Sequence, residues 1–229
     1  MIKAILFDKD GTLLEFSDIW IRASLKLVDE LNLDVNTSSK LKKELGITKD
    51  LKVIENSILA SGTIRELAAS LDPYYDNDRL SDYIEEKFLS TIDDNKDQIR
   101  PTCDLKTLFA LLKDRSIKII VSTSDNLKIA KKMFEILGLE DDLTYIIAAD
   151  HFPPKPSFES ISFIMEKYDL KADEMLMLGD SRVDMEYGSK LKASVGVLCG
   201  TGSRQMLSKY ADYIIDDPMG LVELLEKFD

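Results

Sequence analysis

The stretch Lys3-Ala4-Ile5-Leu6-Phe7-Asp8-Lys9-Asp10-Gly11-Thr12 decides how the rest of the chain is read. Residues 3–7 form an apolar run too short for a helix, which is the pattern of a buried strand. The run leads straight into two carboxylates two residues apart, and then into Gly11, which permits a tight turn with backbone N–H groups able to cradle an anion. Acids that leave the carboxyl end of a buried strand stand where open α/β sheets place their ligands. An ordinary strand-ending turn has the same local pattern, so the stretch needs support from elsewhere in the chain. An EF-hand loop is excluded, because the glycine comes too early and no glutamate closes the loop at the required spacing.

Outward from this stretch, short apolar runs recur at 117–121, 145–148, 175–178, 194–198 and 213–215. Met175 and Met177 read as strand packing. Between the runs lie helical periodicities: Leu105, Leu108, Phe109 and Leu112; Leu127, Ala130, Met133, Phe134 and Leu137, stopped by Gly138; Phe158, Ile161, Met165 and Tyr168. Strands alternating with helices predict an α/β fold with a doubly wound, Rossmann-like parallel sheet. Residues 16–99 break the alternation. They carry helical spacings (Trp20, Ala23, Leu27, Leu31; Ile64, Leu67, Ala68, Leu71) and no clear strand, so an inserted all-helical cap is expected there. The insertion is bounded by Leu13-Leu14-Glu15 and by Pro101, giving a core of residues 1–15 and 100–229 and a cap of 16–99. Leu221, Leu224, Leu225 and Phe228 predict a closing amphipathic helix.

Composition narrows the function. With 229 residues and 45% hydrophobic content the chain can fill a sizeable core. A formal charge of −12 repels nucleic-acid phosphates and anionic membranes, so a small substrate or a protein partner is expected rather than a polyanion. Cys103 and Cys199 are distant in sequence and read as small core hydrophobes rather than a disulfide framework. No uncharged run approaches the ~20 residues that span a bilayer, and residues 2–7 end too soon for a signal peptide. A cytoplasmic protein is expected, with a monomer as the default state and a homodimer as the alternative. The single histidine, His151, excludes a three-histidine zinc site and reads as a surface or loop residue.

Three further strand ends carry polar groups. Ser122-Thr123-Ser124-Asp125-Asn126 sets hydroxyls just before a helix, which suits a phosphate, although taken alone helix capping by Ser124 or Asp125 is the simpler reading. In Pro153-Pro154-Lys155-Pro156-Ser157, prolines restrict the backbone around a lysine that can neutralise a phosphoryl oxygen, and Ser157 can cap the next helix. Leu178-Gly179-Asp180-Ser181-Arg182-Val183-Asp184 places two acids four residues apart, and an oxygen-only carboxylate set points to Mg2+.

In order and spacing these four elements resemble the motifs of the haloacid dehalogenase superfamily, in particular its phosphoglycolate phosphatase-like members with a helical cap. Asp8-Lys9-Asp10-Gly11-Thr12 matches the first motif, Thr123 the second, Lys155 the third, and Gly179-Asp180 with Asp184 the fourth. The resemblance implies a Mg2+-dependent phosphatase acting on a small phosphorylated metabolite, of phosphoglycolate or sugar-phosphate type, through an aspartyl-phosphate. It makes Asp8 the nucleophile and Asp10 the general acid/base, with Thr123 and Lys155 holding phosphoryl oxygens. Gly11, Thr12 and Ser124 join Lys155 in binding substrate, and Asp8, Asp10, Asp180 and Asp184 hold the metal. The acid at position 10 favours phosphate chemistry, since dehalogenases and phosphonatases of the family lack it. A β-phosphoglucomutase-like phosphomutase and an inactive phospho-ligand-binding module remain as alternatives. The chain departs from its relatives at Glu15-Phe16, which makes substrate access bulkier or more apolar, and at Ser157-Phe158. Ser61-Gly62-Thr63 and Arg65 are candidates for contact with the leaving group, with a turn followed by a helix as the simpler reading. The helical spacing of Trp20 favours core packing over ligand stacking.

Overall fold

In a computed structural model the described residues are 1–16, 18–54, 57–75 and 78–228, except for the side chains of Asp18 and Ser61. Six strands form one sheet in the order β3-β2-β1-β4-β5-β6, with every pairing parallel. They are β1 (Ala4–Phe7), β2 (Lys118–Ser122), β3 (Tyr145–Ile147), β4 (Met175–Gly179), β5 (Ala193–Val197) and β6 (Tyr213–Ile215). Each lies within one residue of its expected place. The order is that of a doubly wound sheet, in which the chain reverses direction beside the first strand and ligands bind beyond the strands' carboxyl ends.

Side-chain alternation along β1 builds a core on each face of the sheet. Ile5 and Phe7 enter one cluster with Ile119, Val121, Leu176 and Leu178; Ala4 and Leu6 enter the other with Ile120, Met175 and Met177. The first face is covered by α6 (Leu105–Asp114), α7 (Leu127–Leu137) and α11 (Leu221–Leu225). The second is covered by α8 (Glu159–Tyr168) and α9 (Arg182–Gly188). A short α10 (Arg204–Leu207) precedes β6. Among the described residues no helix is long and apolar enough to cross a membrane.

Between β1 and α6 the regular elements of the described residues are helices, α1 (Asp18–Glu30), α2 (Val35–Leu45), α3 (Ile58–Ser61), α4 (Ile64–Leu71) and α5 (Leu80–Asp94), with some single-turn 3₁₀ pieces and an isolated antiparallel bridge between Ile47 and Val53. Their buried faces match the spacings in the sequence, with Trp20, Ala23 and Leu27 of α1 and Leu67 and Leu71 of α4 entering the first core cluster. Thr63 begins α4 with a reciprocal capping box to Glu66, worth about 0.5–2 kcal/mol. Polar contacts from α5 help fasten this helical cap to the sheet domain. Glu85 on α5 accepts from Asn126 Nδ2 at 2.6 Å and Lys128 Nζ at 2.9 Å, and Asp93 pairs with Lys132 at 2.9 Å.

Some local expectations need correction. Neither Ser124 nor Asp125 caps α7; its first amide, Leu127 N, donates to Asp150 Oδ1 at 3.0 Å, because Asp125 is turned inward toward a buried lysine. The N-cap position of α8 falls on Phe158, with Ser157 Oγ reached only weakly by Glu159 N at 3.5 Å. Cys103 is half-buried, but Cys199 is exposed and so is no core hydrophobe; it sits where β5 opens into a loop. His151 is at the surface, beside Asp150.

Candidate active site

The carboxyl ends of β1, β2 and β4 and the loop after β3 converge on one cleft, roofed by the helical cap. Asp8, Asp10, Thr123, Ser124, Lys155, Asp180 and Asp184 all line it. The loops are set up locally. Gly11 adopts φ +81°, and a Cβ there would lie 2.5 Å from Asp180 Oδ2, so glycine is required for the first and fourth motif loops to touch. The same tightness closes the turn on itself: Gly11 N donates to Leu14 O at 2.7 Å, while Leu13 N and Leu14 N donate to Lys9 O. Gly11 and Thr12, read from the sequence as substrate-binding, therefore do not line the cleft, and Thr12 is fully buried.

Lys155 is the hub of the floor. Its Nζ donates to Asp8 Oδ1 and to Asp184 Oδ1, each at 2.6 Å, and to Ser122 O at 3.3 Å. Asp184 is held from its other side by Ser181, whose hydroxyl and amide donate to Oδ2 at 2.6 and 3.1 Å in the capping box that starts α9. Asp180 Oδ2 accepts from Thr201 N at 2.6 Å and from the Thr201 hydroxyl at 2.9 Å.

This concentration of buried acid has electrostatic consequences. Burial pushes the Asp8 carboxyl well up, with Lys155 pulling against it and Asp184 and Asp180 adding to the rise. Asp180 is pushed up to about 6, first by burial and then by Asp184. Burial works against the Lys155 ammonium, but Asp184 and Asp8 outweigh it and hold the lysine protonated. Three carboxylates thus share one cation in a low-dielectric floor, which favours an additional positive charge. Asp8, Asp180 and Asp184 each bring a ligand oxygen within 4.8 Å of the others, and an oxygen-only set of hard donors fits Mg2+. Three of the four residues expected to hold a metal thus lie together, and the Asp10 side chain is not part of the cluster.

A second charged cluster, beneath Asp10, was not expected. Lys9 is fully buried, with its Nζ 2.6 Å from Asp10 Oδ2, 2.9 Å from Asp125 Oδ2 and 3.3 Å from Met133 Sδ, and 5.0 Å from the Trp20 ring centre. Trp20 Nε1 donates to Asp10 Oδ1 at 3.2 Å, and its ring packs on Phe88 at 5.1 Å. Trp20 is therefore core and site at once. Burial opposes the charge on Lys9, yet Asp10 and Asp125 hold it up; burial raises Asp125 to about 6 against the pull of Lys9. The sequence contained one signal for this: strand alternation from Ile5 and Phe7 carries Lys9 onto the same inward face. The candidates in the cap divide. Gly62 and Thr63 line the cleft, whereas Arg65 is exposed and lines an outer groove with Ala68 and Asp72; the side chain of Ser61 lies outside the described residues.

Comparison with known proteins agrees with the fold and the motif order. The family described as haloacid dehalogenase-like hydrolase matches residues 5–198. The phosphoglycolate phosphatase of Neisseria gonorrhoeae is 28% identical over 214 residues, covering 91% of this chain and 85% of its own. A Clostridium perfringens protein provisionally named the pyrophosphatase PpaX is 26% identical over 238 residues, covering the full length of both. A Haemophilus somnus structure, provisionally described as a phosphoglycolate phosphatase, superposes with a TM-score of 0.72 at 19% identity, covering 97% of each chain, a likeness of fold.

Proposed function

We propose, from the premise that the chain belongs to the haloacid dehalogenase-like hydrolase family, that this phosphatase hydrolyses a small phosphomonoester through a phosphorylated Asp8. One observation carries the reading: Asp8 stands on the cleft floor 2.6 Å from a protonated Lys155, beside Asp180 and Asp184, with Asp10 and Thr123 on the same cleft. A carboxylate that attacks phosphorus needs its own negative charge and that of the phosphoryl oxygens offset at the point of contact, and phosphoryl transfer asks for little beyond such positioning and neutralisation.

In this reading a carboxylate oxygen of Asp8 forms the bond to phosphorus as the bond to the ester oxygen breaks. Asp10 gives its proton to the departing oxygen, then takes one from the water that attacks the aspartyl-phosphate, releasing phosphate and restoring Asp8. Lys155 and the Thr123 hydroxyl hold phosphoryl oxygens, and Ser124 lies within the same cleft. Asp8, Asp180 and Asp184, with the backbone carbonyl of Asp10, would hold Mg2+, which supplies charge that offsets repulsion between Asp8 and the phosphoryl group. Ser181 and Thr201 orient Asp184 and Asp180 for that task. Lys9 and Trp20 grip the two oxygens of Asp10, fixing the direction in which its proton is exchanged.

The test is phosphate release from p-nitrophenyl phosphate and a panel of small phosphomonoesters, with Mg2+ or with chelator, by the native chain and by Asp8→Asn. Release that requires both Mg2+ and Asp8 is expected. Mg2+-dependent release that survives Asp8→Asn would overturn the mechanism, and no release across the panel would leave a phospho-ligand-binding module as the better account.

A further inference from the structure

The cleft has two chemically different walls, and among the described residues the charged groups all lie on the floor. Facing the carboxylates, the cap side is made of Phe16, Trp20, Ile58, Leu59, Leu67 and Phe88. Lys155 is the sole basic side chain among the described residues that line the cleft, and it is already engaged by Asp8 and Asp184. The positions outside the description are serine, aspartate, asparagine and glutamate, so none adds a cation. The polar groups that do reach the cap side are committed elsewhere. The Thr63 amide and hydroxyl donate to Glu66 at 2.7 and 3.0 Å, and Trp20 Nε1 donates to Asp10.

Resting on the phosphatase reading above, we infer that the substrate's leaving group is uncharged and largely apolar, an aryl or alkyl alcohol, and that esters with a second anion are poor substrates. A carboxylate or second phosphate that enters this cleft exchanges water for hydrocarbon and meets no free counter-charge. A ring or alkyl chain meets the opposite conditions and gains from every apolar area it removes from water. Phosphoglycolate, the substrate in the name of the Neisseria relative, carries such a second anion, as does the bisphosphate on which a sugar phosphomutase depends. The cap of this chain is built for neither.

The experiment compares kcat/KM of the Mg2+-loaded full-length protein for three esters. They are benzyl phosphate, the same ester with a para carboxylate, and 2-phosphoglycolate; the first two share a leaving oxygen of similar character and differ in charge. Benzyl phosphate is expected to exceed each of the others at least tenfold. Leu59→Arg, at a half-exposed position in the apolar wall, is expected to narrow both ratios at least tenfold, and Ile58→Arg serves if that variant folds poorly. Binding gives a readout independent of turnover: benzylphosphonate is expected to bind at least tenfold more tightly than phosphonoacetate by calorimetry. Asp8-dependent turnover that is equal or faster on the carboxylated esters overturns the inference and leaves the phosphatase reading intact. Turnover of none of these esters, or turnover that survives Asp8→Asn, overturns the reading on which the inference rests.

Discussion

Lys9→Met is the substitution that most directly tests the charged cluster beneath Asp10. Methionine keeps most of the aliphatic stem and volume of lysine, so the core around Met133 and Trp20 stays filled and the change is mainly one of charge. Without Lys9, Asp10 and Asp125 lose an ammonium at 2.6 and 2.9 Å, and Trp20 loses a cation at 5.0 Å. Breaking a fully buried pair costs about 3–5 kcal/mol, and the lost cation–π contact about 1–2 kcal/mol of that range. The cost has an upper limit, because Asp125 can bind a proton in place of the lysine. Its carboxyl already stands at about 6 through burial, and without Lys9 it rises further. A carboxyl raised in the folded state contributes stability below its unfolded value and loses it as pH climbs through the folded value. The deficit of Lys9→Met is therefore smaller at pH 5.0 and widens toward about 3 kcal/mol at pH 7.5. Urea unfolding in chelator, followed by fluorescence of Trp20, the only tryptophan, reads both numbers. Adding Asp125→Asn to Lys9→Met is expected to recover about 1–2 kcal/mol at pH 7.5, since the orphaned charge is gone. A loss below about 1 kcal/mol at pH 7.5, or an equal loss at both pH values, would refute the reasoning.

Three other perturbations probe neighbouring parts of the site. Trp20→Phe keeps a ring against Phe88 and removes the donor to Asp10, so kcat is expected to fall about tenfold, with a lower thermal midpoint from the smaller buried ring, in steady-state assays and melts; an unaltered kcat would deny Trp20 a positioning role. Gly11→Ala forces a side chain into φ +81° and to 2.5 Å from Asp180, and is expected to weaken Mg2+ binding at least tenfold by calorimetry, whereas tight binding would show that the loops can part. Asp180 is raised to about 6 from an ordinary value near 4, so the metal-free protein is expected to lose roughly 3 kcal/mol as pH rises from about 4 to above 6. Saturating Mg2+ restores that loss, making its upward shift of the melting temperature larger at pH 7.5 than at pH 5.0; equal shifts at both would contradict the assignment of Asp180 to the metal.

The six apolar runs and the acids and hydroxyls at their ends were legible in the sequence because strand burial and strand-end turns are local properties. Each run of three to five residues advertises a strand without reference to its partners, and parallel pairing brings all their carboxyl ends to one edge. Asp8, Thr123, Lys155, Asp180 and Asp184 reach the same cleft for that reason, and the helical spacings of 16–99 announced the cap in the same way. The commitments of individual polar groups were not legible. Gly11 and Thr12 look like an anion cradle until the turn is seen to consume its own amides, and Asp125 looks like a helix cap until Lys9 is seen beneath it. Thr201, which orients Asp180, follows β5 in a loop with no motif to mark it. The apolar lid formed by Ile58, Leu59 and Phe88 depends on how α3 and α5 pack and which face they turn to the sheet. Periodicity tells a helix which face to bury but not against which neighbour. Electrostatic partners and cavity walls are therefore set by contacts between residues tens to more than a hundred positions apart, and only the folded chain decides them.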